Sequence, residues 1–289
     1  MVIPVVPEGE MMILVTGATG NVGSELVELL HRADFPVRAL TRDAGKARFP
    51  AAVEVVEGDL NRPESLAAAF KGVDKVFLVL PGPGQESEIA AAARSAGVRH
   101  VVLISSGAAG THPELMIGRS SLQAESAVAE SGLSWTVLRP GQFASNRKQW
   151  IPEIKGGGVV HAPYGDVQLP TVHPADIAAV GFSALTEEGH EGRTYALTGP
   201  APISPREQLA AIGAAIGREL TFQEVTPEQA ADQMRRFMPE EMVESLLGLQ
   251  GGVLTEADTQ VLPTVEEVTG RPPRTFARWA EENAGAFRS

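Results

Sequence analysis

Apolar runs and amphipathic stretches alternate along the first half of the chain. The run Met12–Thr16 precedes apolar residues at helical spacing in Val22–Ala33, and Lys75–Leu80 is apolar at nearly every position. Continuous apolar runs are typical of strands buried on both faces, and apolar residues every three or four positions indicate helices. Strands are predicted at residues 12–16, 37–41, 53–57, 75–80, 101–105 and 135–138, with helices at 22–33, 63–70, 86–96 and 119–131 and a helical turn at 44–48. This order predicts a doubly wound parallel α/β sheet.

Glycines recur at intervals of three after the first strand, at Gly17, Gly20 and Gly23. In that position the first glycine permits a tight turn, the second lets the backbone approach a pyrophosphate, and the third lets the helix pack close to the strand. The anion then meets free N–H groups at the positive end of the helix. The spacing predicts a Rossmann dinucleotide site. Its phosphate cradle is expected to consist of Gly17, Thr19, Gly20, Asn21, Val22 and Gly23.

The pattern changes after Pro140. Residues 151–170 are rich in Gly and Pro and predict loops with short strands. Helices are then expected at 176–185, 204–216, 227–237, 240–247 and 275–284, with strands at 193–197 and 220–225; Ser204 and Glu207 are spaced as a capping box. We therefore expect an N-terminal extension over residues 1–11, an NAD(P)-binding domain over 12–150, and a smaller α-rich, substrate-binding lobe over 151–289 that completes the same sheet.

Further cofactor contacts are expected at the carboxyl ends of the strands, where doubly wound sheets bind ligands. Arg42 follows the second strand, with Lys46 behind it. A site for NADP places arginine there for the 2′-phosphate, whereas a site for NAD usually places Asp or Glu there, so NADP is favoured over NAD. Asp43 is expected to point outward. Asp59 is expected beside adenine or as a helix cap, with Leu60 as an apolar contact. The other expected contacts are Leu80, Pro81, Ser105, Pro140, Gly141 and Phe143.

The amino-acid composition limits the chemistry and the binding partners to be expected. The chain is 43% hydrophobic and 21% charged, has no cysteine, and carries a net charge of −12. The lack of cysteine excludes disulfides and thiolate chemistry, and the acidic balance argues against direct nucleic-acid binding. No apolar run approaches the length of about 18 residues that indicates a membrane helix, so a cytoplasmic protein is expected. The histidines show no metal-ligand spacing, and an Ala-rich surface at Ile89–Ala96 could pack in a homodimer.

Further motifs link the chain to a known family. They are Thr41-Arg42, Gly58-Asp59-Leu60, Val73–Leu78, Ile104–Gly107, Leu138–Asn146 and Val268–Phe276. With the glycine motif they resemble atypical short-chain dehydrogenases/reductases, and within these the NmrA-like family, which includes type 2 NAD(P)H:quinone oxidoreductases. The resemblance covers nearly the whole chain. It implies hydride exchange with NAD(P) or, in some NmrA-like members, regulation of a partner protein.

One departure from the wider superfamily limits the chemistry. Its catalytic members carry a Tyr-x-x-x-Lys pair after the serine of the fifth strand, and the tyrosine donates the proton. Aligning the chain on Glu125 places Ile117 and Ser121 at these two positions. Without a positioned acid, carbonyl reduction loses about 10²–10⁴-fold in rate. An ordinary alcohol dehydrogenase or sugar epimerase is therefore not expected.

Three functions remain open. The one we favour is an NADP-dependent oxidoreductase that passes hydride to a quinone-like or other conjugated small-molecule acceptor, which needs little acid help. The others are a non-catalytic NAD(P)-binding redox sensor, and a secondary-metabolism reductase or isomerase with a different acid. The candidate catalytic residues are Ser105, Ser106, His112 and Tyr164. The expected substrate pocket contains Phe143, Asn146, Trp150, Tyr164 and His173, although both histidines also suit structural roles.

Overall fold

The computed structural model describes residues 11–288. Its contacts divide the chain into two compact units. Unit 1 comprises the residues up to Ser106, Ser120–Arg139 and Pro174–Ala196, and unit 2 comprises Gly107–Arg119, Pro140–His173 and the residues from Leu197 onward. The extension expected over residues 1–11 lies almost wholly outside the described residues, and the domain boundary expected at residue 150 stays a prediction.

The strands follow the predicted alternation. They are β1 (Ile13–Val15), β2 (Val37–Thr41), β3 (Glu54–Glu57), β4 (Lys75–Val79), β5 (His100–Ile104), β6 (Ser134–Pro140), β7 (Val159–Ala162), β8 (Arg193–Leu197) and β9 (Thr221–Glu224). Seven of them form one sheet in the order β3-β2-β1-β4-β5-β6-β8. Ile13 pairs in parallel with both Val37 and Lys75, so β1 and β4 flank the point where the strand order reverses. This topology confirms the predicted doubly wound Rossmann fold.

The helices are short to medium in length. They are α1 (Gly23–Arg32), α2 (Ala67–Phe70), α3 (Glu86–Ser95), α4 (Ala108–Thr111), α5 (Met116–Glu130), α6 (Ile151–Gly156), α7 (Pro174–Thr186), α8 (Pro205–Ile216), α9 (Pro227–Met234), α10 (Glu240–Leu247), α11 (Glu256–Thr259), α12 (Thr264–Thr269), α13 (Phe276–Glu282) and α14 (Ala284–Phe287). Segments of 3₁₀ helix occupy Pro63–Leu66 and Ala144–Trp150. No helix within residues 11–288 is long and apolar enough to cross a membrane.

Helices cover both faces of the sheet in unit 1. On one face, Leu14 and Leu103 pack in a buried cluster with Phe70 of α2, Ile89 of α3 and Val128 of α5. The opposite face is covered by α1 and α7, which pack against each other. Because both faces are buried, the central strands β1, β4 and β5 are apolar at nearly every position, as the sequence pattern indicated.

Unit 2 is mainly helical. Its β7 and β9 pair in parallel as a separate two-stranded sheet. Its core gathers Trp150, Ile212, Trp279 and Phe287. The predicted capping box is present at the start of α8, where the Ser204 N–H donates to the Glu207 carboxylate at 2.8 Å and the Glu207 N–H donates to the Ser204 hydroxyl at 3.3 Å. This arrangement supplies partners for backbone groups that a helix start leaves unpaired.

Two predicted segments differ from the structure. Residues 44–48 form hydrogen-bonded turns rather than helix, since only the Lys46 and Ala47 amides reach back three residues. The Gly/Pro-rich stretch expected as loops begins with α6, which continues the 3₁₀ segment before it. Trp150 and Ile154 are 3% and 0% exposed. Their burial in the core of unit 2 stabilises helix where local composition predicted none.

Candidate cofactor and substrate sites

The glycine-rich turn after β1 is held in place by the buried Thr16. The Thr16 hydroxyl accepts a hydrogen bond from the Val79 N–H at 2.7 Å and donates to the Phe77 carbonyl at 3.2 Å. Gly17 then adopts a φ of 58°, in the left-handed region that favours glycine. The Gly20 N–H closes the turn by donating to the Gly17 carbonyl at 2.8 Å. The turn is thereby attached to both β1 and β4, at the switch point of the sheet.

This cradle leaves room for an anion and none for side chains. A Cβ at position 23 would lie 2.2 Å from the Gly17 oxygen, and a Cβ at position 20 would lie 3.0 Å from it. In contrast, Gly17, Thr19, Gly20 and Asn21 are exposed. The backbone is therefore open beside the N-terminus of α1, where peptide dipoles favour negative charge. This geometry fits the pyrophosphate of a dinucleotide.

Arg42 is exposed at the end of β2 and forms no ion pair with another described residue. Its neighbours are occupied differently. Asp43 accepts a hydrogen bond from the Gly45 N–H at 3.0 Å and pairs with the Lys46 ammonium at 2.9 Å. The Asp43 carboxylate was expected to point outward; it is instead engaged within its own loop by the Gly45 N–H and by Lys46. Arg42 keeps its guanidinium available for a phosphate, which its planar fork suits.

The carboxylate of Asp59 is used locally. It accepts hydrogen bonds from the Asn61 N–H at 3.0 Å and the Asn61 side-chain amide at 3.1 Å. The backbone bond from Asn61, helped by the nearby Arg62 and Arg42, holds the pKa of Asp59 below its ordinary value. Leu60 is 9% exposed and packs in the core. The contacts that both residues would make with adenine stay predictions.

The parallel register brings further predicted contacts to the same edge of unit 1. Val15 is paired with Ala39 of β2 and Phe77 of β4, and Val79 is paired with Ile104 of β5. Gly17–Gly23, Arg42, Leu80, Pro81 and Ser105 all follow these strand ends. In unit 2, Gly141 donates its N–H to the Leu197 carbonyl at 2.9 Å and Phe143 forms a bridge with Val172. Pro140 is the last residue of β6.

Ser105 belongs to a side-chain network in unit 1. Its hydroxyl donates to the Glu125 carboxylate at 2.5 Å. Arg139 binds the same carboxylate through both ends of its fork, at 2.9 Å and 2.6 Å. Hydrogen bonding to Glu125 raises the pKa of Arg139. The Ser105 proton therefore points at a carboxylate within the protein, which favours a positioning role over proton donation.

Two further candidate acids, His112 and Tyr164, are held by packing within unit 2. His112 is 2% exposed, and its Nε2 lies 2.8 Å from Asp258. Tyr164 has a φ of 57°, and its ring is so close to Gly251 that a Cβ there would lie 2.5 Å from Cγ. Burial, with the nearby Glu228, raises the pKa of Tyr164. A higher pKa makes the phenol a weaker proton donor, so Tyr164 suits a structural role better than acid catalysis. The buried contact of His112 with Asp258 suits a structural role too.

A cavity of about 380 Å³ lies wholly within unit 2. Trp150 lines it, but the other predicted pocket residues do not: Phe143, Asn146, Tyr164 and His173. His173 is 3% exposed, with its Nε2 at 3.1 Å from Glu282. The cavity has the size of a small-molecule site.

Comparison with similar proteins shows the family of the chain. The chain matches the NAD(P)H-binding family over residues 17–188. A (4-alkanoyl-5-oxo-2,5-dihydrofuran-3-yl)methyl phosphate reductase from Streptomyces griseus is 43% identical over 280 residues, which cover 96% of this chain and 99% of the relative. The chain belongs to the NAD(P)H-binding family. This membership confirms the NmrA-like resemblance and the predicted dinucleotide cofactor.

Further relatives in the family are reductases. An NAD(P)H azoreductase from Xenophilus azovorans is 41% identical over 283 residues, covering 96% of this chain and 99% of the relative. Among solved structures, an NADPH-dependent quinone oxidoreductase from Escherichia coli superposes with a TM-score of 0.77 at 27% identity, covering 94% of this chain and 99% of that one. These matches span nearly the full length of each relative.

The sequence did not predict two features of the structure. Glu125 and Arg139 form one network with Ser105, although the sequence indicated no role for either side chain. The Arg147 guanidinium lies 4.6 Å above the Trp150 ring. Arg147 and Trp150 are three residues apart, and this spacing brings side chains together on a helical turn. It is therefore a sequence signal that could predict their contact.

Proposed function

We propose that the protein is an NADPH-dependent oxidoreductase that transfers hydride to a quinone-like or other conjugated small-molecule acceptor. The observation that carries this proposal is the open backbone cradle at Gly17–Gly23 combined with Ile117 at the position of the usual acid. The cradle supports a dinucleotide, and the missing phenol favours acceptors that need no proton from the enzyme during hydride transfer.

The relatives support the acceptor class. Their names describe reduction of an oxo-dihydrofuran phosphate, of azo compounds and of quinones. A conjugated acceptor spreads the charge that develops during hydride transfer, and water can then protonate the product. The enzyme would supply proximity and a site with little water.

Each part of the predicted cofactor site has a physical role in this proposal. The bound nicotinamide supplies the hydride. The backbone at Gly17–Gly23 would hold the pyrophosphate, and Arg42 would bind the 2′-phosphate that distinguishes NADP from NAD. Ser105, fixed by Glu125 and Arg139, would position the nicotinamide end through its oxygen lone pairs, because its proton is already donated to Glu125.

We also propose a small-molecule substrate, which the cavity in unit 2 and the relatives support. A cytoplasmic location and a homodimer are further parts of the proposed function. A non-catalytic sensor and a reductase with another acid are the competing functions.

Steady-state oxidation of NADPH with naphthoquinone, an azo dye and an unsaturated lactone tests the proposal. We expect turnover with at least one conjugated acceptor and slower turnover with NADH. A simple ketone, whose reduction needs a proton donor, serves as the matched negative acceptor. Tight NADPH binding without turnover of any acceptor would favour the sensor instead, and efficient ketone reduction would favour the enzyme with another acid.

A further inference from the structure

Arg147 is a buried cation in unit 2. It lies in the 3₁₀ segment Ala144–Trp150 and is 6% exposed. One face of its guanidinium stacks on Trp150 at 4.6 Å, and its Nε donates a hydrogen bond to the Gln208 side-chain oxygen. Burial lowers the pKa of Arg147 to about 10, which still leaves the group charged at neutral pH.

Gln208 fixes the direction of that guanidinium. Gln208 is 1% exposed, and its side-chain N–H₂ donates to the Thr171 hydroxyl at 3.0 Å and the Ile203 carbonyl at 3.3 Å. With its nitrogen committed to these two acceptors, the amide oxygen must face Arg147. The guanidinium is therefore held both by a hydrogen bond at Nε and by stacking on Trp150, and cannot easily turn.

The charge of Arg147 has no carboxylate partner among residues 11–288. Arg206, in the same unit, shows the usual arrangement: it lies 4.7 Å above Phe222 but pairs with Asp166 at 3.0 Å and also with Glu224. Its side chain is 40% exposed, so Arg206 has both solvent and counter-charges. A buried cation without solvent and without a counter-charge is energetically costly. This cost raises the question of which anion pairs with Arg147.

Arg147 lines the cavity of unit 2, and its terminal nitrogens form no hydrogen bond with another described residue. Arg147, Trp150 and Gln208 all line this space of about 380 Å³. A guanidinium has five N–H donors, of which Gln208 takes the one at Nε. Among the described residues, the side-chain nitrogens that are fully buried without a hydrogen-bond partner are Arg38 Nε and His100 Nδ1. The terminal nitrogens of Arg147 are not among them, so they are not fully buried.

The rest of the cavity wall suits the body of an organic anion. Met234 and Phe237 supply apolar surface beside Trp150. The acidic residue in the wall, Glu153, is engaged with His161, whose Nδ1 lies 2.8 Å from its carboxylate. The wall thus offers one unneutralised cation, apolar surface and a polar clamp that aims the cation.

We propose that this cavity binds an anionic acceptor, with a carboxylate, sulfonate or phosphate group on the terminal nitrogens of Arg147 and the apolar body against Trp150 and Phe237. The identification of the anion as a hydride acceptor rests on the function proposed above. The anion site itself does not depend on turnover. Bidentate binding of an oxyanion by a fixed guanidinium would restore the counter-charge that Arg147 lacks.

Binding without chemistry is the first test. Isothermal titration compares naphthalenesulfonate with the neutral naphthalenemethanol for the wild type, for Arg147→Gln and for Arg206→Gln. We expect Arg147→Gln to weaken sulfonate binding by about tenfold or more relative to the neutral compound. Arg206→Gln, which removes an arginine from a neighbouring ring but not from the cavity wall, should leave that preference unchanged. Equal loss of both ligands in Arg147→Gln, or of neither, would overturn the proposal.

Kinetics then separates this inference from the proposed function. The ratio of kcat/KM for a naphthoquinone sulfonate to that for naphthoquinone should fall by about tenfold or more in Arg147→Gln. If the wild type binds the sulfonate through Arg147 but reduces neither quinone, the anion site stands and the proposed activity fails. If both quinones are reduced and the ratio is unchanged, the anion site fails alone.

A second variant covers the case in which Arg147→Gln does not fold. Gln208→Glu keeps the arginine and its stacking on Trp150 but gives it a carboxylate partner at the position of the present amide oxygen. The Thr171 hydroxyl, which now donates to the Leu169 carbonyl at 3.4 Å, would have to turn toward that carboxylate, and the Ile203 carbonyl would lose the amide donor it has at 3.3 Å, so the folding of this variant is checked first by thermal denaturation. We expect the same loss of preference for the sulfonate, because the cation would be neutralised from within the protein. Retained preference in a folded Gln208→Glu variant would contradict the proposal.

Discussion

The phosphate cradle of unit 1 is built from backbone, whereas the cavity of unit 2 is built from side chains. In the cradle, glycine is required because a Cβ at position 23 would overlap the Gly17 carbonyl at 2.2 Å. In the cavity, Arg147 depends on Gln208, a residue 61 positions away. A backbone site of this kind tolerates no side chain at position 23. A side-chain site can be changed one residue at a time and, under the proposed function, would select the acceptor.

The largest effect on cofactor binding is expected from a side chain placed in the cradle. In Gly23→Ala the new Cβ would lie 2.2 Å from the Gly17 oxygen and 2.9 Å from the Ala18 Cα, so the turn or α1 must shift. We expect NADPH affinity to fall by about a hundredfold or more, because the backbone groups that meet the phosphates move. Fluorescence titration of NADPH measures this, with thermal denaturation as the check on folding.

Gly285→Ala is the matched control for that substitution. Gly285 is an exposed helical glycine whose added Cβ would meet no atom within 4 Å. Alanine there should leave NADPH binding unchanged and stabilise α14 by up to about 1 kcal/mol. If Gly23→Ala bound NADPH as tightly as Gly285→Ala, the cradle would not be the phosphate site.

Arg42→Gln sharpens the comparison, because it is a side-chain change at the edge of the backbone site. Arg42 is exposed and unpaired with other described residues, so its loss should affect a phosphate ligand and little else. We expect the KM for NADPH to rise by about tenfold to a hundredfold while that for NADH changes little. The ratio of the two kcat/KM values is the measurement.

Arg48→Gln provides the control for Arg42. Arg48 is a nearby exposed arginine whose guanidinium already donates to the Gly45 and Ala47 carbonyls at 2.9 Å. Arg48→Gln should leave the preference for NADPH over NADH within about twofold of the wild-type value, since a screened surface charge contributes little to binding. Equal effects of the two substitutions would show that general positive charge, not Arg42, selects the cofactor.

The two sites also differ in how far the sequence predicted them. The cradle and its sheet were predictable because glycine spacing and apolar periodicity are local signals. The helix at residues 151–156 was not, because Trp150 and Ile154 stabilise it through burial in the core of unit 2, which local composition does not indicate. Arg147 was missed for the same reason: its partner Gln208 and the cavity exist only after folding.

Ser105→Ala is expected to have the smallest effect, and it tests whether the Ser105 hydroxyl takes part in the chemistry. The Ser105 proton is donated to Glu125, which Arg139 also binds at 2.9 Å and 2.6 Å. Removal of the hydroxyl leaves the Glu125–Arg139 pair in place. If Ser105 only positions the cofactor, kcat for a quinone should fall by less than about tenfold, whereas loss of a general acid would cost about 10²–10⁴-fold. A pH profile of kcat distinguishes the two roles, because loss of a positioning residue lowers the whole profile without moving its midpoints. A loss in the larger range, with an altered profile, would place an acid in unit 1 and remove the argument that the acceptor must accept hydride without help.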